Sequence, residues 1–353
     1  MTADTSASDL LPATVLDSFA PTVTFLNAPN YGLLPTTVAA AVSQADTDRT
    51  RGTFQTSSVD AVIHACRAAF GELTGFTSEQ VAIGSQVSQL VSLVVAALPD
   101  GASVLLPENE FTSVLWPFLS RSDLRVRTAP LAELADALRP GDDLVAASVV
   151  QSADGRVADT RAVVEAARNH GARVIFDLSQ AAGWYPVHDL DADWVVSVGF
   201  KWLLGPKGTA FLAGTDAALN LLRPVAAGWY AGFDPWQTCY DAPLRLASDA
   251  RRFDVSPTWQ AWLGQQPALE LVSSIGIDAI RRHDLALANR LRTGLGLPHG
   301  DSAIISIEVS PETLQRLDAA RIVGSVRDGR LRLGCHLYNT EADIDRTLTA
   351  LAG

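Results

Sequence analysis

Asp177 and Lys201 are the two side chains whose types and setting point to chemistry. Asp177 closes the apolar run "ARVIFD", and Lys201 stands between Phe200 and Trp202 in "SVGFKWLLGPKG". An acid at a strand end commonly caps a helix or lies solvated at a rim. It can also balance a positive ring nitrogen or bind a metal, and here no His or Cys cluster accompanies it to make a metal site. A lysine flanked by aromatic residues can lay its stem over them and keep its charge in water. Desolvated instead, it becomes an amine of lowered pKa that attacks carbonyl carbon. Lysine occurs in this chain only at 201 and 207, while arginine supplies nearly all the positive charge. A chain that avoids lysine yet keeps one between two aromatics needs an amine rather than a charge.

A third feature joins them. In "IGSQVSQ" an apolar run ends at Gly84 and Ser85, and a helical pattern begins near Val87. Free N–H groups at a helix start suit a phosphate, although Ser85 could equally cap the helix. Phosphate cradle, amine and acid together describe a site for pyridoxal phosphate, which is held by its phosphate, its aldehyde carbon and its ring nitrogen.

The elements that must position these groups are legible in outline. Short apolar runs ("VAIG", "SVLLP", "DLVAASVV", "ARVIFD", "WVVSVG", "TAFLAG") alternate with helical-period stretches such as "VSQLVSLVVAAL" and "RAVVEAARNHG". That alternation predicts an α/β fold with a mainly parallel sheet flanked by helices, and ligands gather at the carboxyl ends of such strands. After about residue 235 two long helical patterns precede "AIISIEV", "GRLRLG" and a last helix, which reads as a smaller α+β domain. The expected organisation is an N-terminal arm (1–24), a large cofactor-binding domain (25–235) and a small C-terminal domain (236–353), with the N-terminal segment able to pack on the last. With 353 residues, 48% apolar and 19% charged, the chain can bury a large core. A net charge of −12 disfavours nucleic acid and anionic membranes as partners and leaves a small molecule. There is no apolar run of about 18 residues and no secretory leader pattern, so a cytoplasmic protein is expected. Cys66, Cys239 and Cys335 are widely spaced and form no CxxC pair. Reduced thiols fit better than a disulfide frame or a zinc site.

On "DLSQAAG", "KWLLGPKG" and "YNTEADID" the chain resembles the class V aminotransferases (cysteine desulfurases, kynureninases and C–S lyases) over nearly its whole length. The resemblance implies the fold of type I pyridoxal phosphate enzymes. It makes Lys201 the Schiff-base lysine, with Asp177 at the ring nitrogen and Gln180 at the phenolic oxygen. It also implies Ser85 and Gln86 at the phosphate, with Ser197 close to a further phosphate ligand. Val198, Gly199 and Phe200 stand where relatives carry a hydroxyl and a histidine. Phe111 takes the place of the ring-stacking residue, often a histidine, and Ser152 the place of an asparagine near the cofactor oxygen. Ser256, in "RFDVSPTW", matches the segment that reaches the neighbouring subunit's phosphate, so a homodimer with shared sites is implied. Arg332 matches the arginine that holds the substrate carboxylate, with Asn27, Ala28 and Tyr31 lining the same pocket.

The loop "DAARIVGSVRDG" lacks the nucleophilic cysteine of a desulfurase. The expected reaction is therefore β-elimination from an S-substituted cysteine, giving thiol, pyruvate and ammonia. The pattern is closest to actinobacterial C–S lyases of the ergothioneine type and to relatives in lincosamide antibiotic biosynthesis. Decarboxylation coupled to oxidative deamination, transamination and epimerisation stay open as alternatives. "AAGWYAGFDPWQTCYD" could form a lid over a bulky substrate, or a core or dimer contact.

Overall fold

The computed structural model describes residues 11–352; the first ten residues of the expected arm lie outside the described residues. The chain runs from β1 (Thr24–Phe25) through α1 (Thr36–Arg51) and α2 (Val59–Thr74) to β2 (Val81–Gly84) and α3 (Val87–Ala97). It continues with β3 (Ser103–Pro107), α4 (Thr112–Leu119), β4 (Arg125–Ala129), β5 (Leu144–Ser148), α5 (Thr160–His170) and β6 (Arg173–Asp177). Then come β7 (Trp194–Val198), β8 (Ala210–Gly214) and one turn of helix, α6 (Asp216–Leu219). The last third adds α7 (Trp259–Ile275), α8 (Ile277–Gly294), β9 (Ile304–Ile307) and α9 (Pro311–Ala319). It ends with β10 (Ile322–Val323), β11 (Ser325–Arg327), β12 (Arg330–Gly334) and α10 (Glu341–Ala352).

The main sheet has seven strands in the order β2-β8-β7-β6-β5-β3-β4. All neighbours are parallel except those of β8, which runs antiparallel to both β2 and β7. Strands β2, β3, β5, β7 and β8 are buried at every position, as continuous apolar runs covered by helices on both faces must be. Edge strand β4 (RVRTA) is the exception. Its first four residues are exposed or half-buried, so it lacks the apolar run that marks the others in sequence. The antiparallel return of β8 has a local cause. Residues 199–209 join it to β7 by a helix-free loop rather than a crossover helix, and a parallel neighbour would need the crossover. That loop carries Lys201.

Beyond the main sheet, β11, β12 and β9 form a three-stranded antiparallel sheet. The early strand β1 pairs in parallel with β10, and Asn27 bridges to Gly334, so the chain's start is stitched to its end. Helix α7 begins after residue 235 yet packs against α1 and α2 over the main sheet. Separate apolar clusters fill the two faces of the main sheet and the C-terminal layer, the last around Leu26, Leu287, Leu333 and Ile344. No helix among the described residues is long and apolar enough to cross a membrane.

Candidate active site

A cavity of about 690 Å³ opens at the carboxyl ends of β6 and β7 and the start of α3. Lys201 and Asp177 both line it, as the sequence predicts. The lysine turn is tied at its base, where the Gly199 N–H donates to Thr209 O at 3.0 Å and the Gly205 N–H to Gly199 O at 2.8 Å. Leu204 takes a left-handed φ of 57° to close it. From the N-terminal side the Gly32 N–H donates to Phe200 O at 2.9 Å. Only a glycine fits there, because a Cβ on Gly32 would lie 2.2 Å from the carbonyl oxygen of Lys201.

Lys201 is buried, with Nζ 5.2 Å from the Phe111 ring centroid and 6.0 Å from that of Phe200. Burial is the main reason its ammonium is pushed down to about 8. Asp177 opposes that shift, while Arg332 and Arg327 add to it. The same burial raises the carboxyl of Asp177, with Lys201 and a Ser179 N–H bond pulling it back. That N–H reaches Asp177 Oδ1 at 2.8 Å. A buried acid and a buried amine thus face one cavity, each limiting the other's loss of charge.

Arg332 forms another wall and is only 2% exposed. Its Nη1 donates to Ser152 Oγ at 2.9 Å and to Ser152 O, and its Nη2 donates to Ser325 Oγ at 3.1 Å. Burial, then Arg327, lowers its pKa to about 10. It meets no carboxylate among the described residues. Gln86, Phe111, Ser152 and Tyr31 also line the cavity. Gln86 is the extended residue before α3, with φ −154°, and no side chain caps that helix. Its first N–H groups are therefore free for an anion.

Six expected site residues do not line the cavity. Ser85 does not cap α3; its backbone N–H donates to Gln89 Oε1 at 2.9 Å. Ser197 is fully buried, and its hydroxyl donates to Val198 O at 3.3 Å. Side chains alternate along β7, so with Val198 facing the cavity Ser197 faces away. Gln180 lies one layer behind the wall. Its Nε2 donates to Pro29 O and Ser152 Oγ, and its Oε1 accepts from Trp202 Nε1. Asn27 and Ala28 are buried beneath the segment from Pro29 to Leu34, which does line the cavity. Ser256 is exposed on the segment before α7. Conversely, Ser179, Arg327 and Lys207 line the cavity without having been expected there. Glu110 braces it from behind, accepting from Ser148 N and Phe111 N at 2.7 Å each, with its carboxyl raised by burial. No periodicity marks an isolated acid in a loop. Only its place beside Phe111 could have drawn notice.

Residues 43–304 match the family model of class V aminotransferases. The chain belongs to the class V aminotransferase family. An isopenicillin N epimerase of Amycolatopsis lactamdurans is 27% identical, the match covering 95% of this chain and 96% of that protein. A kynureninase of Deinococcus radiodurans is 28% identical over 76% of this chain and 70% of that protein. The solved structure of the cystine C–S lyase C-DES with cysteine persulfide shares the fold. Its TM-score is 0.86 at 22% identity, covering 94% of this chain and 97% of that one. The cofactor of this class V enzyme is pyridoxal phosphate, and the residues present fit it. The α3 start offers uncapped N–H groups to the phosphate, Lys201 an amine of lowered pKa, and Asp177 a buried carboxylate.

Proposed function

We propose that this enzyme is a carbon–sulfur lyase that breaks the Cβ–S bond of an S-substituted cysteine by β-elimination, releasing thiol, pyruvate and ammonia. One observation carries the reading. A buried amine (Lys201) and a buried arginine that meets no carboxylate (Arg332) share a cavity whose lining holds no thiol. Bound pyridoxal phosphate supplies an electron sink that acidifies the Cα–H of an amino acid attached to it. Arg332 holds the substrate carboxylate with its planar fork and so sets which Cα bond can break. Lys201 Nζ accepts the Cα proton, and the electron pair leaves with the sulfur. Phe111 can stack and exclude water but cannot exchange protons, so proton movement falls to Lys201. The released enamine hydrolyses to pyruvate and ammonia. Cys66 and Cys335 are buried in the core and Cys239 is exposed away from the cavity, so persulfide transfer is not part of the proposal.

A narrower placement with the ergothioneine- and lincosamide-type lyases rests on the overall sequence pattern. A second reading, epimerisation, is favoured by the near full-length match to isopenicillin N epimerase. The test is to incubate the holoenzyme with a set of cysteine S-conjugates and measure pyruvate, thiol, carbon dioxide and recovered amino acid. Equimolar pyruvate and thiol are expected. Carbon dioxide without pyruvate would promote decarboxylating deamination, and amino acid of inverted hand would promote the epimerase. We extend the proposal to a homodimer with shared sites, supported by the exposure of Ser256 and of Phe233, Tyr240 and Leu244.

A further inference from the structure

We infer that Arg327 anchors a second anionic group of the substrate, so that the amino acid bound here carries an acid at the far end of its side chain. The inference deepens the amino acid-binding reading above and rests on it. Ser325 lies opposite Arg332 in the β11–β12 pair, and Arg327 lies opposite Arg330. Alternation along β11 puts Ser325 and Arg327 on one face, and cross-strand pairing puts Arg332 on the same face. Arg327 and Arg332 are diagonal neighbours, a relation that separates residues by roughly 7–8 Å. Both line the cavity, and Arg327 helps to lower the pKa of Arg332.

Arg327 donates only to neutral oxygens, Val326 O at 2.8 Å and Asn30 Oδ1 at 3.3 Å. Nearby arginines are paired: Arg330 with Glu308 at 2.6 Å and Arg156 with Asp154 at 2.8 Å. The chain has 39 acidic residues against 27 basic ones, so carboxylates are plentiful. Yet no ion pair to Arg327 or Arg332 forms among the described residues, and two guanidinium groups face one largely apolar cavity. Two anions relieve that repulsion. The substrate α-carboxylate is one. The cofactor phosphate has its own place at the uncapped start of α3, whereas Arg327 belongs to the hairpin of Arg332. The second anion is therefore a carboxylate on the sulfur substituent.

The probes are S-carboxymethylcysteine and its isosteric amide, S-carbamoylmethylcysteine. Titrating each into the yellow holoenzyme and following the shift of its visible band gives a Kd whatever product forms. The wild type is expected to bind the acid about tenfold more tightly, the scale of one charge-assisted pair at a partly exposed site. Arg327→Gln should bring the acid-to-amide ratio to about one while the cofactor stays bound, and Arg327→Lys should keep part of the preference. Arg332→Gln should weaken both ligands and leave the ratio standing. A ratio of about one in the wild type, or a ratio untouched by Arg327→Gln, overturns the inference. So does loss of cofactor from Arg327→Gln, which would give that arginine to the phosphate. Absence of pyruvate from both probes would sink the lyase reading alone, because the Kd ratio still reports on Arg327.

Discussion

Lys201 illustrates how one side chain is prepared by its surroundings. Its amine is desolvated by the turn around it and by Phe111 and Phe200, and burial outweighs the help of Asp177. The linkage to stability has a definite sign. The unfolded lysine holds its proton up to about 10.5 and the folded one to about 8. Between those values the unfolded state binds more protons, so stability of the cofactor-free protein rises with pH across that window. Below about 8 the full penalty is present, roughly 3 kcal/mol at most from that shift. Lys201→Met removes it. Urea unfolding of the cofactor-free proteins should show the variant more stable at pH 7, with the gap closing toward pH 10.5. Parallel curves for the two proteins would show that the lysine is not desolvated.

At the scale of elements, the site depends on how the segment after β1 clamps the β7–β8 turn. The Gly32 N–H holds Phe200 O, and its missing Cβ leaves room for the Lys201 carbonyl. Gly32→Ala must push backbone from backbone and should cost about 1–3 kcal/mol, the usual range for overpacking. Because the displaced atoms belong to Lys201, cofactor binding should weaken along with stability. Denaturant unfolding and the visible absorbance of the holoenzyme measure the two together; a variant unchanged in both would mean that the clamp is not what sets the lysine. The same turn accounts for the antiparallel β8, since the chain reverses within it rather than crossing over by a helix.

For the molecule as a whole, the exposed apolar side chains concentrate on residues 225–244, with Val225 62%, Tyr240 86% and Leu244 77% exposed. A chain of net charge −12 repels its own copies at long range, so association needs an apolar contact of this kind. Sedimentation at micromolar concentration is expected to give twice the 37.5 kDa chain mass. If Ser256 completes the partner's phosphate site, dilution below the dimer's dissociation constant should release cofactor. A monomer that keeps its full cofactor would sink the shared-site proposal.

The chain alone determined the α/β alternation, because buried strands must be continuous apolar runs and their helices must show a 3.6-residue period. It also singled out Asp177 and Lys201 by residue type and setting, while Arg332 and Phe111 come through the family resemblance; all four line the cavity. It did not reveal β4, an edge strand whose exposed Arg125 and half-buried Arg127 break the apolar pattern. Tertiary structure alone decided which neighbours of a motif face the cavity. Ser197 is turned away by the two-residue alternation of β7, Gln180 is held behind the wall by Trp202 and Pro29, and Arg327 is turned in beside Arg332 by the register of a hairpin. A side chain's type is written in the sequence. Its direction follows from contacts between residues far apart in the chain, and those exist only once the strands have paired.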